Sequence, residues 1–222
     1  MAAHRPWPRF RLDNAGWRGL IERLGDADWS LVGLWADVAE VHMALRDDPK
    51  GDIAVASCAV ENGRFSSVAA ARPGAARLER AIRDLFGFHA EGAADARPWL
   101  DHGVWPLGLP LAGASSPAAQ RAPTAYAFLP VEGEGLHQIP VGPVHAGIIE
   151  PGHFRFHANG ETVVRLEERF GYVHKGIEKL MQGRPPADAA RLAARLSGDS
   201  TVAHSLAFAR AIGEYGSIVF IS

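Results

Sequence analysis

Apolar and polar residues along this chain follow two periods, and the switches between them mark out its elements. Trp17, Leu20, Ile21 and Leu24 recur at helical spacing in WRGLIERLG, which predicts an amphipathic helix. Asn14 stands before it as an N-cap candidate and Gly25 follows it as a stop. WSLVGLWADV and AEVHMALR read as strands. DIAVASCAV and RFSSVAAAR read as a strand pair joined through Glu61-Asn62-Gly63, because Asn-Gly suits a tight hairpin turn. In AARLERAIRDLFGF, Leu78, Ile82 and Leu85 fall on one face. Arg77, Arg80, Arg83 and Asp84 fall mostly on the other, so this helix is predicted to pack its apolar side on a sheet. Strands with helices on one side give an α+β fold class, with an N-terminal α/β sandwich module over residues 1–105.

Prolines then interrupt the pattern. Pro106, Pro110, Pro117, Pro123, Pro130 and Pro140, with Gly, Ala and Ser between them, make residues 106–140 read as an irregular connector. Residues 141–222 read as a β-hairpin followed by helices. His153, Arg155 and His157 alternate with Phe154 and Phe156 as in a half-buried strand, Asn159-Gly160 turns the chain, and TVVRL returns. Beyond Phe170 the period becomes helical. Val173, Ile177, Leu180 and Met181 share one face, and His174 and Glu178 lie four apart on another. Pro185-Pro186 breaks that helix, ADAARLAARL starts the next, residues 197–200 interrupt it, and TVAHSLAFARAIGE resumes.

Composition narrows the classes. At 222 residues, with 47% hydrophobic and 22% charged residues, the chain can bury a core and is not expected to be disordered. Twenty-three basic against 25 acidic residues argue against a generally basic nucleic-acid binder. A single cysteine, Cys58, excludes an internal disulfide and any site needing two of the chain's own thiolates. Its apolar neighbours mark it as a buried, inert thiol. The opening MAAHRPWPRF has no signal-peptide core, and no stretch approaches the roughly 20 apolar residues of a membrane span. A cytoplasmic chain is expected, meeting a membrane through partners.

Candidate chemistry concentrates after residue 140, where His145, His153, His157, His174 and His204 lie. Their spacing matches no zinc signature, so pocket-lining or hydrogen-bonded imidazoles are the simpler expectation, with a histidine-held metal as the rival. The Gly142-Pro143-Val144-His145-Ala146-Gly147 loop presents His145 for proton exchange with a redox substrate such as a quinone, or has it capping backbone groups. Arg195 to His204 holds Ser197, Gly198, Asp199 and Ser200 before an apolar run, as a helix N-cap requires. Without a Gly-x-Ser-x-Gly elbow or a placed acid, Ser197 is not read as a nucleophile. No Walker loop or Gly-x-Gly-x-x-Gly is present, so no nucleotide site is read.

The strings Gly142-Pro143-Val144-His145, Glu150-Pro151-Gly152-His153-Phe154 and Tyr172-Val173-His174-Lys175-Gly176-Ile177-Glu178-Lys179 stand in order. With RLSGDSTVAHSLAFARAI they resemble the start of the large subunit of energy-converting nickel–iron hydrogenases of the hydrogenase-4 and formate hydrogenlyase type. The homologous forty-nine-kilodalton-type subunit of complex I, the NADH-quinone oxidoreductase, is similar. More weakly, LERAIRDLFGFHAEGAADARPWLDHG resembles the thirty-kilodalton-type complex I subunit. The resemblance implies a fusion of these modules in an electron-transfer complex. Its partners would be a small iron–sulfur subunit, which carries the clusters, and a membrane arm, with a quinone as a candidate acceptor. It aligns His145 with a quinone-pocket histidine, and Arg195 and His204 with matching family positions. Ser197 and Ser200 stand where the hydrogenases carry cysteines that hold nickel and iron, and Gly198 where complex I carries a tyrosine. A hydroxyl is a hard, protonated donor, so no nickel–iron centre is expected here. The alternative is a non-catalytic docking or scaffold subunit, or a truncated fragment. The resemblance covers the opening of a longer subunit, so the last helix, with Leu206, Phe208 and Ile212, is expected to depend on another chain. The apolar ending SIVFIS reads as an interruption of that continuation.

Overall fold

A computed structural model describes residues 7–25, 28–113, 125–145 and 147–215. Its contacts group into two units. Of the described residues, one holds those up to 98 together with 106–113 and 210–215, the other 99–105 with those from 125 to 209. The division differs from boundaries at 105 and 140. Residues 106–113 belong with the first unit, where the Leu111 N–H donates to the Leu85 carbonyl at 3.0 Å and the Leu111 side chain is buried.

The first unit is built on strand β1 (Arg9–Leu12), helix α1 (Asn14–Arg23), β2 (Trp29–Ala36), β3 (Glu40–Asp47) and β4 (Ile53–Ala59). These strands form a four-stranded sheet in the order β1-β4-β3-β2. β2, β3 and β4 are antiparallel, and β1 lies parallel to β4. Short β5 (Arg64–Ser66) and β6 (His89–Glu91) make a separate parallel pair on either side of helix α2 (Ala76–Phe86) in the sequence. The expected β4–β5 hairpin is therefore corrected. Asn62 does take a positive φ of 51°, but the turn closes on a single Glu61–Arg64 bridge, and β5 leaves to pair with β6. The α1 cap is Asp13 rather than Asn14, because the Asp13 carboxylate accepts the Gly16 N–H at 2.7 Å.

Trp17 and Ile21 from α1, with Leu24 just after it, meet Val41, Met43, Ala56, Phe65, Val68 and Ile82 in one core. Trp17 is fully buried, and its indole N–H donates to the Ser66 carbonyl at 3.1 Å, so the largest core side chain leaves no orphan donor. The α2 pattern needs correction as well, since Glu79, Arg80 and Asp84 are buried with Ile82. Arg80 donates to the Arg97 and Pro98 carbonyls at 2.8 and 2.7 Å and sits 3.2 Å from Asp95, which holds the 95–98 segment to the helix. A charge on this face is tolerated because it is bonded.

In the second unit, β7 (Leu136–Val141), β8 (His153–Asn159) and β9 (Thr162–Arg169) form an antiparallel sheet. The hairpin expected from Asn159-Gly160 is present. β7 joins it from residues read as irregular, because Pro140 can sit in a strand that is paired on one side. Helices α3 (Ile177–Met181), α4 (Pro186–Ala193) and α5 (Thr201–Tyr215) follow. Among the described residues, no helix is long and apolar enough to cross a membrane. The SIVFIS ending, Ala146, Pro117 and Pro123 lie outside the described residues.

Candidate functional site

Alternation on β8 puts His153, Arg155 and His157 on one face, opposite Arg169, Glu167 and Arg165 of β9. Unusually for a half-covered sheet, this polar face is the buried one. His157 is 0% exposed, with its Nε2 3.4 Å from a Glu167 carboxylate oxygen. The cover is residues 126–130. The Leu129 N–H donates to both Glu167 oxygens at 3.2 and 3.1 Å, and the Arg165 guanidinium donates to the Pro130 carbonyl at 3.2 Å. The Arg155 guanidinium lies 3.8 Å from the centre of the Phe128 ring. The apolar row Ile139, Phe156 and Leu166 lies on the other face, with Ile139 and Leu166 exposed. His153 and His157 do share a face. Four residue rises along the strand put them about 13 Å apart, too far for two ligands of one metal.

Past β9, Gly171 (φ 95°) and Gly176 (φ 65°) bracket the Tyr172–Lys175 stretch, so the helix expected from Val173 starts only at Ile177. His174 consequently sits in irregular chain after the Tyr172–Val173 turn and not one helical rung below Glu178. Its ring stacks on Trp105 at 4.7 Å, and burial pushes its pKa below the ordinary value despite the nearby Glu178 carboxylate. With Leu100, Phe170, Lys175, Glu178 and Leu196 it lines a cavity of about 220 Å³. Lys175 is a cross-link: its ammonium donates to Glu150 at 2.6 Å and to the Leu196 carbonyl at 3.2 Å, joining the loop before β8 to the segment after α4.

His145 is held by that same loop. Its Nδ1 accepts the Gly147 N–H at 3.2 Å, and its Nε2 is shielded with no hydrogen-bond partner among the described residues. Val144 and Ile148 beside it are 85% and 91% exposed. Gly142 starts the loop at φ 77°, where an added Cβ would collide with the Gly152 carbonyl oxygen. Arg195 is exposed after α4, and His204 is half-buried on α5. Ser197 makes no side-chain helix cap. Instead the hydroxyls of Ser197 and Ser200 both donate to Asp199 Oδ1. Led by the Ser197 hydroxyl, these contacts outweigh desolvation and hold the Asp199 carboxyl below its usual range. His145, Arg195, Ser197, Ser200 and His204 are absent from the lining of the His174 cavity.

A further cluster, not singled out in the sequence, lies in the first unit. Asp37, Glu40 and His42 bring ligand-type atoms within 4.8 Å of one another. Arg9 and Arg11 already sit 2.6 and 3.3 Å from Glu40, and Arg9 also lies 3.4 Å from His42 Nδ1. Two guanidinium groups in that position repel a dication, so the set fits a clasp between β1 and β3 rather than a metal centre. The charge alternation Arg9, Arg11, Asp37, Glu40 was visible in the sequence, but the parallel pairing of β1 that brings it together was not.

Comparison with known proteins matches residues 27–118 to the respiratory-chain NADH dehydrogenase 30 kDa subunit family. The match supports reading this segment as similar to the thirty-kilodalton-type module of hydrogenase/complex I assemblies. The chain is 35% identical over 156 residues to formate hydrogenlyase subunit 5 of Escherichia coli, an alignment that covers 67% of this chain and 27% of that protein. It is 34% identical over 159 residues to hydrogenase-4 component G of the same organism, covering 68% of this chain and 29% of that protein. A carbon monoxide-induced hydrogenase of Rhodospirillum rubrum is 46% identical over 48 residues, 22% of this chain and 13% of that protein. The chain thus spans between a quarter and a third of the length of the first two relatives. The matched residues contain β2 to β6 and α2 with the Arg80 bonds to residues 95–98, whereas β1 and α1 precede them.

Proposed function

We propose that this chain is a subunit of a membrane-associated oxidoreductase assembly of the hydrogenase-4 and complex I kind. The thirty-kilodalton-type module docks it, and the residues from 141 onward act as the opening part of a large-subunit-type domain. Electrons arrive from a small iron–sulfur partner and pass toward a quinone-type or proton acceptor. A membrane arm anchors the assembly, so this chain sits at the inner face of the membrane through partners. The observation carrying the proposal is the 34–35% identity sustained over two thirds of the chain to a formate hydrogenlyase subunit and a hydrogenase-4 component.

Hydrogen activation by this chain itself is not proposed. The positions a nickel–iron centre would need hold Ser197 and Ser200, whose hydroxyls are donors to Asp199. The single cysteine, Cys58, is buried in β4, and burial pushes its thiol pKa up. Hard hydroxyl donors already engaged to a carboxylate do not fit soft, thiolate-bound metals. In the redox reading His145 meets the acceptor once its shielded Nε2 is uncovered for proton exchange.

A second reading, a docking or scaffold subunit, is favoured by the absence of His145, Arg195 and His204 from the cavity beside His174. Titration of the purified chain with a short-chain ubiquinone analogue separates the two. Saturable binding that weakens in His145→Ala supports the redox reading. No saturable binding, or binding indifferent to His145, leaves the docking reading. Nickel or iron bound stoichiometrically to the purified chain overturns the exclusion of the bimetallic centre.

A further inference from the structure

We propose that the free edge of β2 is a docking site for an extended partner segment that adds a fifth strand to the sheet and carries acidic residues among apolar ones. β2 is the last strand in the order β1-β4-β3-β2, so the backbone groups on its outer side meet no strand among the described residues. It is eight residues long, WSLVGLWA, without a charged residue or a proline. Exposed edges are ordinarily blunted by lysine, proline or an inward charge, because unpaired N–H and C=O groups recruit another chain. The one such device here is the bulge between Leu31 and Gly33, and the residue it displaces, Val32, is 53% exposed. Trp29 and Trp35 are exposed on the same strand.

The surroundings specify the occupant. A groove of about 500 Å³ is lined by Trp29–Gly33 on one side and by Arg72, Pro73, Gly74, Arg77 and Leu78 on the other. Arg72 donates to the Trp29 carbonyl at 2.8 Å, which closes the first rung and leaves the edge from Ser30 onward. Arg77 is exposed at the start of α2, and the Asp48 carboxylate that reaches the groove residue Ser30 is already bonded to Arg46. An incoming strand therefore gains backbone hydrogen bonds from β2, apolar contact from Leu31, Val32 and Leu78, and an ion pair if it presents a carboxylate to Arg77. A second copy of β2 answers this poorly. Its sequence holds no acid, and pairing two such edges would bring their arginines together.

The test uses the full chain with a capped octapeptide alternating glutamate and valine, followed by amide protection of Leu31, Leu34 and Ala36, whose N–H groups face away from β3, and by tryptophan fluorescence. Protection of those amides with saturable binding is expected. Arg77→Glu weakens binding about fivefold or more, and a lysine–valine octapeptide recovers it on that variant. Val32→Lys, at an exposed position, weakens both peptides. Three results overturn the proposal: no saturable binding, equal binding of a peptide N-methylated at alternate residues, or a concentration-dependent dimer that Val32→Lys abolishes. The last would assign the edge to a second copy.

Discussion

The Glu79 carboxylate on α2 accepts the Val68 backbone N–H at 2.6 Å, across eleven residues of sequence. The Ala69 N–H at 3.0 Å and the Ser67 hydroxyl at 2.9 Å complete a buried cap over the turn that follows β5. Glu79→Ala strands these donors and is expected to cost about 3 kcal/mol in urea unfolding. The pH dependence has a definite sign. Burial raises the Glu79 pKa, and the hydrogen bonds from Ala69, Ser67 and Val68 oppose it without cancelling it. The folded state then binds this proton more tightly than the unfolded state. Its contribution is full below the ordinary carboxylate range and declines as pH rises through the raised value. Glu79→Gln should flatten that decline, and an unchanged pH profile would refute the assignment.

His42 runs the opposite way. It is 4% exposed, with Nδ1 2.9 Å from the Ser57 hydroxyl and Nε2 3.2 Å from Asp37. Burial lowers its pKa more than Asp37 and Glu40 raise it, and Arg9 adds to the lowering. The neutral ring is the folded form, so its contribution holds above the ordinary histidine value of about 6.5 and is lost as pH falls through the depressed one. Stability measured from pH 7.5 downward should fall less steeply in His42→Gln than in the parent. A steeper fall in the variant would contradict the assignment.

Elements carried by local periodicity were legible: α1, α2, β2, β3 and the β8–β9 hairpin all follow from spacing and turn residues. Pairings between distant short strands were not. β1 and β6 contribute four and three residues, and their parallel registers depend on contacts no local pattern encodes. β7 was hidden by Pro140, whose lack of an N–H is harmless at a sheet edge. Polarity misled on α2, where Glu79 and Arg80 are buried because hydrogen bonds meet them, and on β8, where His157 is buried with its Nε2 3.4 Å from Glu167. In the candidate site, the sequence named Ser197, Asp199 and Ser200 as a helix start but not the donation of both hydroxyls to the Asp199 carboxylate, and helical spacing concealed the irregular stretch holding His174.

That stretch makes Gly171 a sharp test of the local backbone. Its φ is 95°, and a Cβ there would collide with the Leu100 carbonyl oxygen. Gly171→Ala combines an unfavourable conformation with a clash against backbone, for an expected loss of at least about 2 kcal/mol. The Trp105–His174 stack lies on the same stretch, so the His174 ring resonances should shift in the variant. Gly183→Ala, also at positive φ but with nothing near its Cβ, should cost only the conformational part, about 1 kcal/mol. Equal losses at the two positions would show that the Leu100 contact does not constrain this stretch.

The chemistry assigned to the serine pair can be read directly at Asp199. The Ser197 hydroxyl is the leading cause of its lowered pKa, burial works against it, and Ser200 and His204 contribute less. Ser197→Ala removes a donor to an exposed carboxylate, so folding should be unaffected while the Asp199 pKa rises toward the usual carboxylate range, observable by carbon-13 NMR titration. Ser200→Ala, whose hydroxyl is 3.4 Å away, should move it less. A cysteine at position 197 is the informative third variant. A neutral thiol is a weaker donor than a hydroxyl, so the Asp199 pKa should lie between its values in the parent and in Ser197→Ala. A value unchanged from the parent in Ser197→Ala would mean that the carboxylate is held by its helix-turn position alone, and the hydroxyls would lose their claim to a bonded, metal-free role.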